Sequence, residues 1–193
     1  MTIVKRLSFS MAFVCLLLMA TACEPDGGGD GDAGSGSNGS ATRLTGVSPA
    51  TQELQLAQDL FVALNGWRAA SPRNLPALTY NVSVAGVAHD HCADLDMRDY
   101  WSTTTPNAHY TPEGLDPGDR MDAATVSWSG YAENLAIGQQ AVAAVMTAWE
   151  NSAGHNQNMQ TNLTQVGIGV RIRQHPQHQG YTEIVWCQLF RNP

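Results

Sequence analysis

Two histidines lie in segments whose composition is unusual for ordinary loops. His109 opens the segment HYTPEGLDPGDR, and His155 lies in WENSAGHNQN, just past a predicted helix. Imidazole changes its charge near neutral pH and binds metals through either ring nitrogen, so it suits general acid-base work, metal ligation or ligand binding. We therefore take His109 and His155 as the first candidate site residues.

The other four histidines give weaker signals. His89 and His91 are two residues apart on a predicted helix and cannot share one face, so we expect both at the surface or rim. His175 and His178 lie in a polar segment between two predicted strands, which indicates a solvated turn.

Three amphipathic helices must position these residues. The first begins at Ser48 and Pro49, a good helix start, and ends before Pro72. The second begins at Asn81, and the third precedes His155. Their apolar positions recur at helical spacing, with Ala57, Leu60, Phe61, Leu64 and Trp67 on the first, Ala85, Ala88, Cys92 and Leu95 on the second, and Ala141, Val142, Val145, Met146 and Trp149 on the third.

The C-terminal part changes to a period of two. Apolar residues alternate with Gly and Arg over 166–173, which predicts a half-buried strand, whereas 183–190 is apolar on both faces and should be covered on both sides. The segment Ser102–Gly130 is too rich in proline and glycine for regular structure. Helices first and paired strands last predict an α+β fold with a mainly antiparallel sheet between helical layers.

The N-terminus predicts export. Lys5 and Arg6 precede an apolar run over 7–20, and small residues lead to Cys23, so 1–22 has the pattern of a signal peptide. Cys23 resembles the lipidated cysteine of bacterial lipoproteins, and a Gly, Asp and Ser tract follows it. We expect a lipidated linker over 23–47 and one folded domain over 48–193, attached to the membrane of the cell envelope, periplasmic or at the cell surface; the alternative is a secreted protein.

The net charge of the chain disfavours one class of partner. The whole chain has a net charge of −7, and without 1–22 it has eight arginines and no lysine against 17 acidic residues, a net charge of −9. This disfavours a nucleic-acid partner, because no basic stripe could neutralise phosphates.

Cys92 and Cys187 remain in the folded part, where they could form a disulfide in an oxidising compartment or pack as two buried thiols.

Five motifs in order resemble the CAP superfamily of SCP-like extracellular domains. They are ALNGWRAA with Asn65 and Arg68, HYTPEGLDPGDR, YAENLAIG, WENSAGHNQNM, and VGIGV followed by VWCQLF. The resemblance runs from about Leu54 to Phe190. It implies an α-β-α sandwich with a central cleft that is lined by two histidines and two acidic residues.

The resemblance assigns residues to this cleft one at a time. His109 matches the first histidine, Glu133 the first acid and His155 the second histidine, while Ser152 stands where other members have the second acid. Asn65, Arg68, Arg120 and Asn134 then have structural roles, the last two by satisfying neighbouring carbonyls and carboxylates.

Three functions stay open at this point. The missing second acid favours a binding module for a lipid, peptide or glycan. The retained histidines favour a metal-dependent hydrolase, with Zn²⁺ or another divalent ion on His109 and His155 and Glu133 nearby. The third is an adhesion or envelope-interaction protein with a vestigial cleft. A serine hydrolase using Ser152 and His155 is disfavoured, because no nucleophile-elbow pattern surrounds the serine.

Overall fold

A computed structural model of the chain describes residues 49–70, 72–101, 107–174 and 181–193. The predicted signal peptide over 1–22, the lipidation site Cys23, the linker over 23–47, and His175 and His178 lie outside the described residues. Within the described ranges, no helix is both long enough and apolar enough to cross a bilayer.

Five helices are present in the described residues, and three of them confirm the predictions. They are α1 (Pro49–Ala69), α2 (Val82–Arg98), α3 (Pro117–Ala123), α4 (Val142–Glu150) and α5 (Ala153–Met159). Sequence periodicity missed the two seven-residue helices, α3 and α5. The first of these forms inside the stretch predicted to be irregular, because Asp116 and Asp119 build a reciprocal capping box around Pro117.

Four strands form one sheet in the order β1-β3-β4-β2. They are β1 (Thr79–Tyr80), β2 (Gly130–Ile137), β3 (Gln165–Gln174) and β4 (Thr182–Asn192). The pairs β3–β4 and β2–β4 are antiparallel, and the short β1 pairs parallel to β3. The strand β2, which carries Glu133, therefore lies at an edge of the sheet.

Helices cover both faces of this sheet, which confirms the predicted α-β-α sandwich. One core contains Leu60 and Leu64 of α1, Trp149 of α4 and Met159 of α5. The other contains buried residues of α2 and Met121 of α3. Strand β4 contributes to both cores and is covered on both faces, as predicted.

The strand β3 departs from the predicted half-buried pattern at its glycines. Gly167 and Gly169 are buried because the backbone of α2 lies directly on them. A Cβ at Gly169 would lie 2.3 Å from the carbonyl carbon of Ala88, and one at Gly167 would lie 2.2 Å from the backbone nitrogen of Ala85. These two glycines set how closely α2 approaches the sheet.

Candidate functional site

Glu133 is the centre of the candidate site. Its buried carboxylate accepts a hydrogen bond at 2.7 Å from Nη2 of Arg120 and one at 2.8 Å from Nδ1 of His109. Burial acts to raise the pKa of this carboxyl, but the charge of Arg120 and the hydrogen bond from His109 outweigh it and hold the pKa well below its usual range. Glu133 is therefore an ionised, internally paired carboxylate.

Arg120 reaches Glu133 from α3, whose position depends on tight packing at Gly118. A Cβ on Gly118 would meet the rings of Trp128 and Tyr131 at 2.7 and 2.8 Å. The hydroxyl of Tyr131 also donates to the capping residue Asp116 at 2.8 Å. Residues 118–120 thus supply the glycine that permits close packing, one aspartate of the capping box and the cation that pairs with Glu133.

His109 uses one ring nitrogen to bond Glu133 and has a partly exposed side chain. Because a carboxylate only accepts, Nδ1 carries the proton that bonds Glu133. No group in the described part of the chain bonds Nε2, and the side chain is 23% exposed. When the ring is neutral, Nε2 offers a lone pair to a ligand.

His155 approaches from the opposite face of β2, on α5 rather than in the loop that we predicted. Burial lowers the pKa of His155 to about 4, and the charge of His109 acts in the same direction. Of His109, Glu133 and His155, only the first two are in direct contact. The lowered pKa makes the His155 ring neutral at neutral pH. No hydrogen bond to either ring nitrogen is present in the described ranges.

Side-chain amides, two of them buried, hold α5 against β2. Asn134 donates to the carbonyl of His155 and to the side chain of Gln188, both at 3.1 Å, and Asn158 donates to Asn134 at 2.9 Å and to the Glu133 carbonyl at 3.1 Å. Sequence reasoning did not identify Gln188 or Asn158 as contributors. Asn158 is, however, the last asparagine of the WENSAGHNQNM motif, so the motif could have identified it.

The remaining candidates lie in different surroundings. Ser152 is the N-cap residue of α5, and its side chain makes no capping hydrogen bond. Asn65 exchanges two hydrogen bonds with the backbone of Leu78, at 3.0 and 2.8 Å. Arg68 is buried and donates to backbone carbonyls, with Nη1 at 2.6 Å from that of Met159. Asn65 and Arg68 thus fasten chain segments together.

The structure does not leave Glu133 free to support a metal ion on His109 and His155, which the sequence suggested as one alternative. Both oxygens of Glu133 already accept hydrogen bonds from Arg120 and His109, and the proton on Nδ1 leaves His109 only its outer nitrogen. Only two imidazoles remain as ligands, and in the described residues no group of three His, Cys, Asp or Glu side chains is arranged to hold a metal ion.

The disulfide predicted for Cys92 and Cys187 is absent from the structure, where both are buried free thiols. They pack as the small apolar residues of the alternative prediction, and Cys187 contacts Oε1 of Glu133 at 3.5 Å. Burial, a hydrogen bond with Cys92 and the nearby charge of Glu133 raise the pKa of the Cys187 thiol.

These thiols should be unreactive in the folded protein. In a reduced variant with Cys15 and Cys23 replaced by Ser, we expect almost no reaction with a thiol reagent under native conditions and two reactive thiols after unfolding, because thiolate attack needs access and a low pKa. Absorbance of the released reagent measures both states. Protein isolated without reductant that shows no thiol after unfolding would restore the disulfide.

Two buried histidines predict acid destabilisation. The pKa values of His91 and His155 lie near 4 in the folded chain against an ordinary 6.5, mainly because of burial. The unfolded chain therefore binds more protons between these values, and stability falls as the pH decreases from about 6.5 to about 4, by about 3 kcal/mol per ring at most. Glu133 adds its own loss only below about pH 4.5.

Urea unfolding at a series of pH values and constant ionic strength measures this effect. A His155→Gln variant should lose part of the slope between pH 6.5 and 4. A free energy of unfolding that stays constant over this range in the unsubstituted protein would contradict the assignment of two neutral, buried rings.

Comparison with known proteins agrees with this architecture. The family described as "CAP: Cysteine-rich secretory protein family" matches residues 61–190. An uncharacterized Bacillus subtilis protein, YkwD, is 37% identical over 62 residues, which are 32% of this chain and 24% of that protein. The chain thus spans about a quarter of that relative's length.

Two solved structures share the fold. An extracellular protein containing an SCP domain from Bacillus anthracis superposes with a TM-score of 0.61 and 27% identity, over 78% of this chain and 44% of that one. An outer surface protein from Borrelia burgdorferi superposes with a TM-score of 0.57 and 19% identity, over 72% of this chain and 92% of that one.

Proposed function

Because the chain belongs to the CAP cysteine-rich secretory protein family, we propose that it is an exported binding protein of the cell envelope. We place its binding site at the edge of the sheet beside β2, where His109 and His155 approach from the two faces, and its ligand is a polar group of a lipid, a peptide or a glycan. The observation that carries the proposal is the fully paired Glu133 carboxylate, which bonds Nδ1 of His109 and leaves Nε2 for a ligand.

The charges around Glu133 favour binding over hydrolysis. Arg120 neutralises Glu133, so this carboxylate is a weak base and supports the His109 ring instead. Ser152 stands where the family resemblance places a second acidic residue in other members, so this position offers no carboxylate to activate water. The neutral His109 ring, which can accept a hydrogen bond at Nε2, and the neutral His155 ring remain as the ligand-contacting groups.

The site of action outside the cytoplasm rests on the N-terminal segment. Residues 1–22 have a signal-peptide pattern, and Cys23 stands at the position of a lipid anchor. The Bacillus anthracis structure is described as an extracellular protein, which is consistent with export of this chain. We propose a lipid-anchored domain on the outer side of a membrane.

One observation favours hydrolysis as a second candidate. A carboxylate that holds Nδ1–H of a histidine and leaves Nε2 outward is the arrangement of an oriented general base. Such chemistry would use His109 as the base and would not need Glu133 as a metal ligand.

The test uses nuclear magnetic resonance titration of the ¹⁵N-labelled protein with three probes. These are phosphatidylethanolamine and phosphatidylglycerol vesicles, soluble peptidoglycan fragments, and a hexapeptide mixture. We expect one probe to shift resonances of residues 107–111 and 153–156 and His109→Ala to weaken its binding. His89→Ala is the matched control, because His89 is half-exposed beside Glu53 and Asp90.

Equal affinity of the protein and its His109→Ala variant for every probe would sink the proposed binding site. A parallel peptidase assay is run without added metal. If the protein releases product and His109→Ala does not, the function is hydrolysis and not binding alone. Release that requires added Zn²⁺ would instead restore the metal-dependent hydrolase.

A further inference from the structure

His91 is buried at the site, although its spacing from His89 suggested a surface position. It lies on the inner face of α2 and is 2% exposed. Its Nε2 lies 2.8 Å from the carbonyl oxygen of Ala108, the residue before His109. A polar ring that is buried this completely needs a partner, and the partner here is the backbone of the site's own loop.

The protonation state of the ring follows from its contacts. A carbonyl oxygen only accepts, so Nε2 of His91 carries the proton and donates. Burial lowers the pKa of His91 to about 4, so the ring is neutral at neutral pH and Nδ1 has a lone pair. The hydroxyl of Tyr100 is 3.4 Å from Nδ1 but donates to Asp94 at 2.7 Å, so the bond to Ala108 is the ring's strong interaction.

The backbone around His109 is held at neighbouring atoms by different elements. His91 of α2 holds the Ala108 carbonyl at 2.8 Å, and Arg120 of α3 contacts the His109 carbonyl at 3.4 Å. Asn107 accepts a hydrogen bond from the His109 amide at 3.1 Å. Of these contacts, the shortest is made by His91.

We propose that His91 is a positioning residue of the candidate site, which fixes the His109 ring against Glu133 by holding the preceding carbonyl. His91 acts through His109 and does not touch the ligand itself. The role in ligand affinity rests on the proposed function, whereas the role in fixing the His109 tautomer does not.

The test compares two substitutions of similar size. His91→Gln can place an amide N–H near the position of Nε2, whereas His91→Leu keeps an apolar side chain and removes the donor. The ¹⁵N chemical shifts of the His109 ring report which nitrogen carries the proton. In the unsubstituted protein and in His91→Gln we expect the form protonated at Nδ1, and in His91→Leu we expect shifts averaged over both forms.

Ligand affinity is the second measurement. For the probe that binds the unsubstituted protein, we expect His91→Leu to weaken binding about tenfold and His91→Gln to weaken it less than about threefold. A general loss of structure would also disturb the amide spectrum of β1 and α1, so these resonances serve as the folding control.

The two proposals fail differently. If no probe binds the unsubstituted protein, the binding function fails while the ring shifts still decide the role of His91. If His91→Leu leaves the His109 ring shifts unchanged in a folded protein, or if both variants change them equally, His91 is not the positioning residue.

Discussion

Replacing Gly169 with alanine is expected to prevent folding or to lower the free energy of unfolding by about 3 kcal/mol or more. The new methyl group would lie 2.3 Å from the carbonyl carbon of Ala88 and 2.5 Å from the backbone nitrogen of His89. These atoms belong to the α2 backbone and cannot rotate away as a side chain could. The helix would have to move off β3 and disrupt the core that it shares with β4.

Urea denaturation followed by circular dichroism measures the loss. Gly86→Ala is the matched control, because Gly86 lies on the exposed side of the same helix with no atom within 4 Å of the added Cβ. It should raise stability by about 0.5 to 1 kcal/mol through helix propensity. A Gly169→Ala protein as stable as the unsubstituted one would contradict the close packing of α2 on the sheet.

Replacing Glu133 with glutamine is expected to cost about 3 to 5 kcal/mol of stability. The substitution keeps the shape but removes the charge that Arg120 pairs with, and the Arg120 side chain is only 8% exposed. A buried guanidinium then has no counter-charge, and because glutamine has one oxygen in place of two, either Arg120 or His109 faces an N–H group where it had an acceptor. We therefore expect binding through His109 to weaken as well.

Glu150→Gln is the control for a carboxylate outside the site. Glu150 is 45% exposed and lies 3.7 Å from Arg73, so its loss should cost less than about 1 kcal/mol. Combining Glu133→Gln with Arg120→Met should recover part of the stability lost by Glu133→Gln alone, because no charge is then left unpaired. An equally small loss for the substitutions at 133 and 150 would show that the Arg120 pair contributes little.

Periodicity predicted the long elements but not the short ones that build the site. The helices α1, α2 and α4 and the strands β3 and β4 follow regular apolar patterns. Strand β2 does not follow such a pattern, because the polar residues Glu133 and Asn134 of the site occupy its middle. The helices α3 and α5 are too short for periodicity, and the capping box of α3 was the signal that could have found it.

The site itself was predicted unevenly. Chain position and family resemblance together selected His109, Glu133 and His155, and the first two are in direct contact. Spacing correctly put His89 and His91 on different faces, but it could not say that one of those faces meets a loop of the site. The pairing of Arg120 with Glu133 depends on the docking of α3, which no local pattern reports.

The edge strand β2 places site residues against both helical layers. Glu133 and Asn134 are consecutive, so one faces Arg120 and the other faces α5. Side chains of a strand alternate, and a slip of one residue in the pairing of β2 with β4 would exchange these two partners. A single-residue insertion or deletion in the strand would therefore remove the contacts of Glu133 with Arg120 and of Asn134 with α5 together. The two residues can only be kept or lost as a pair.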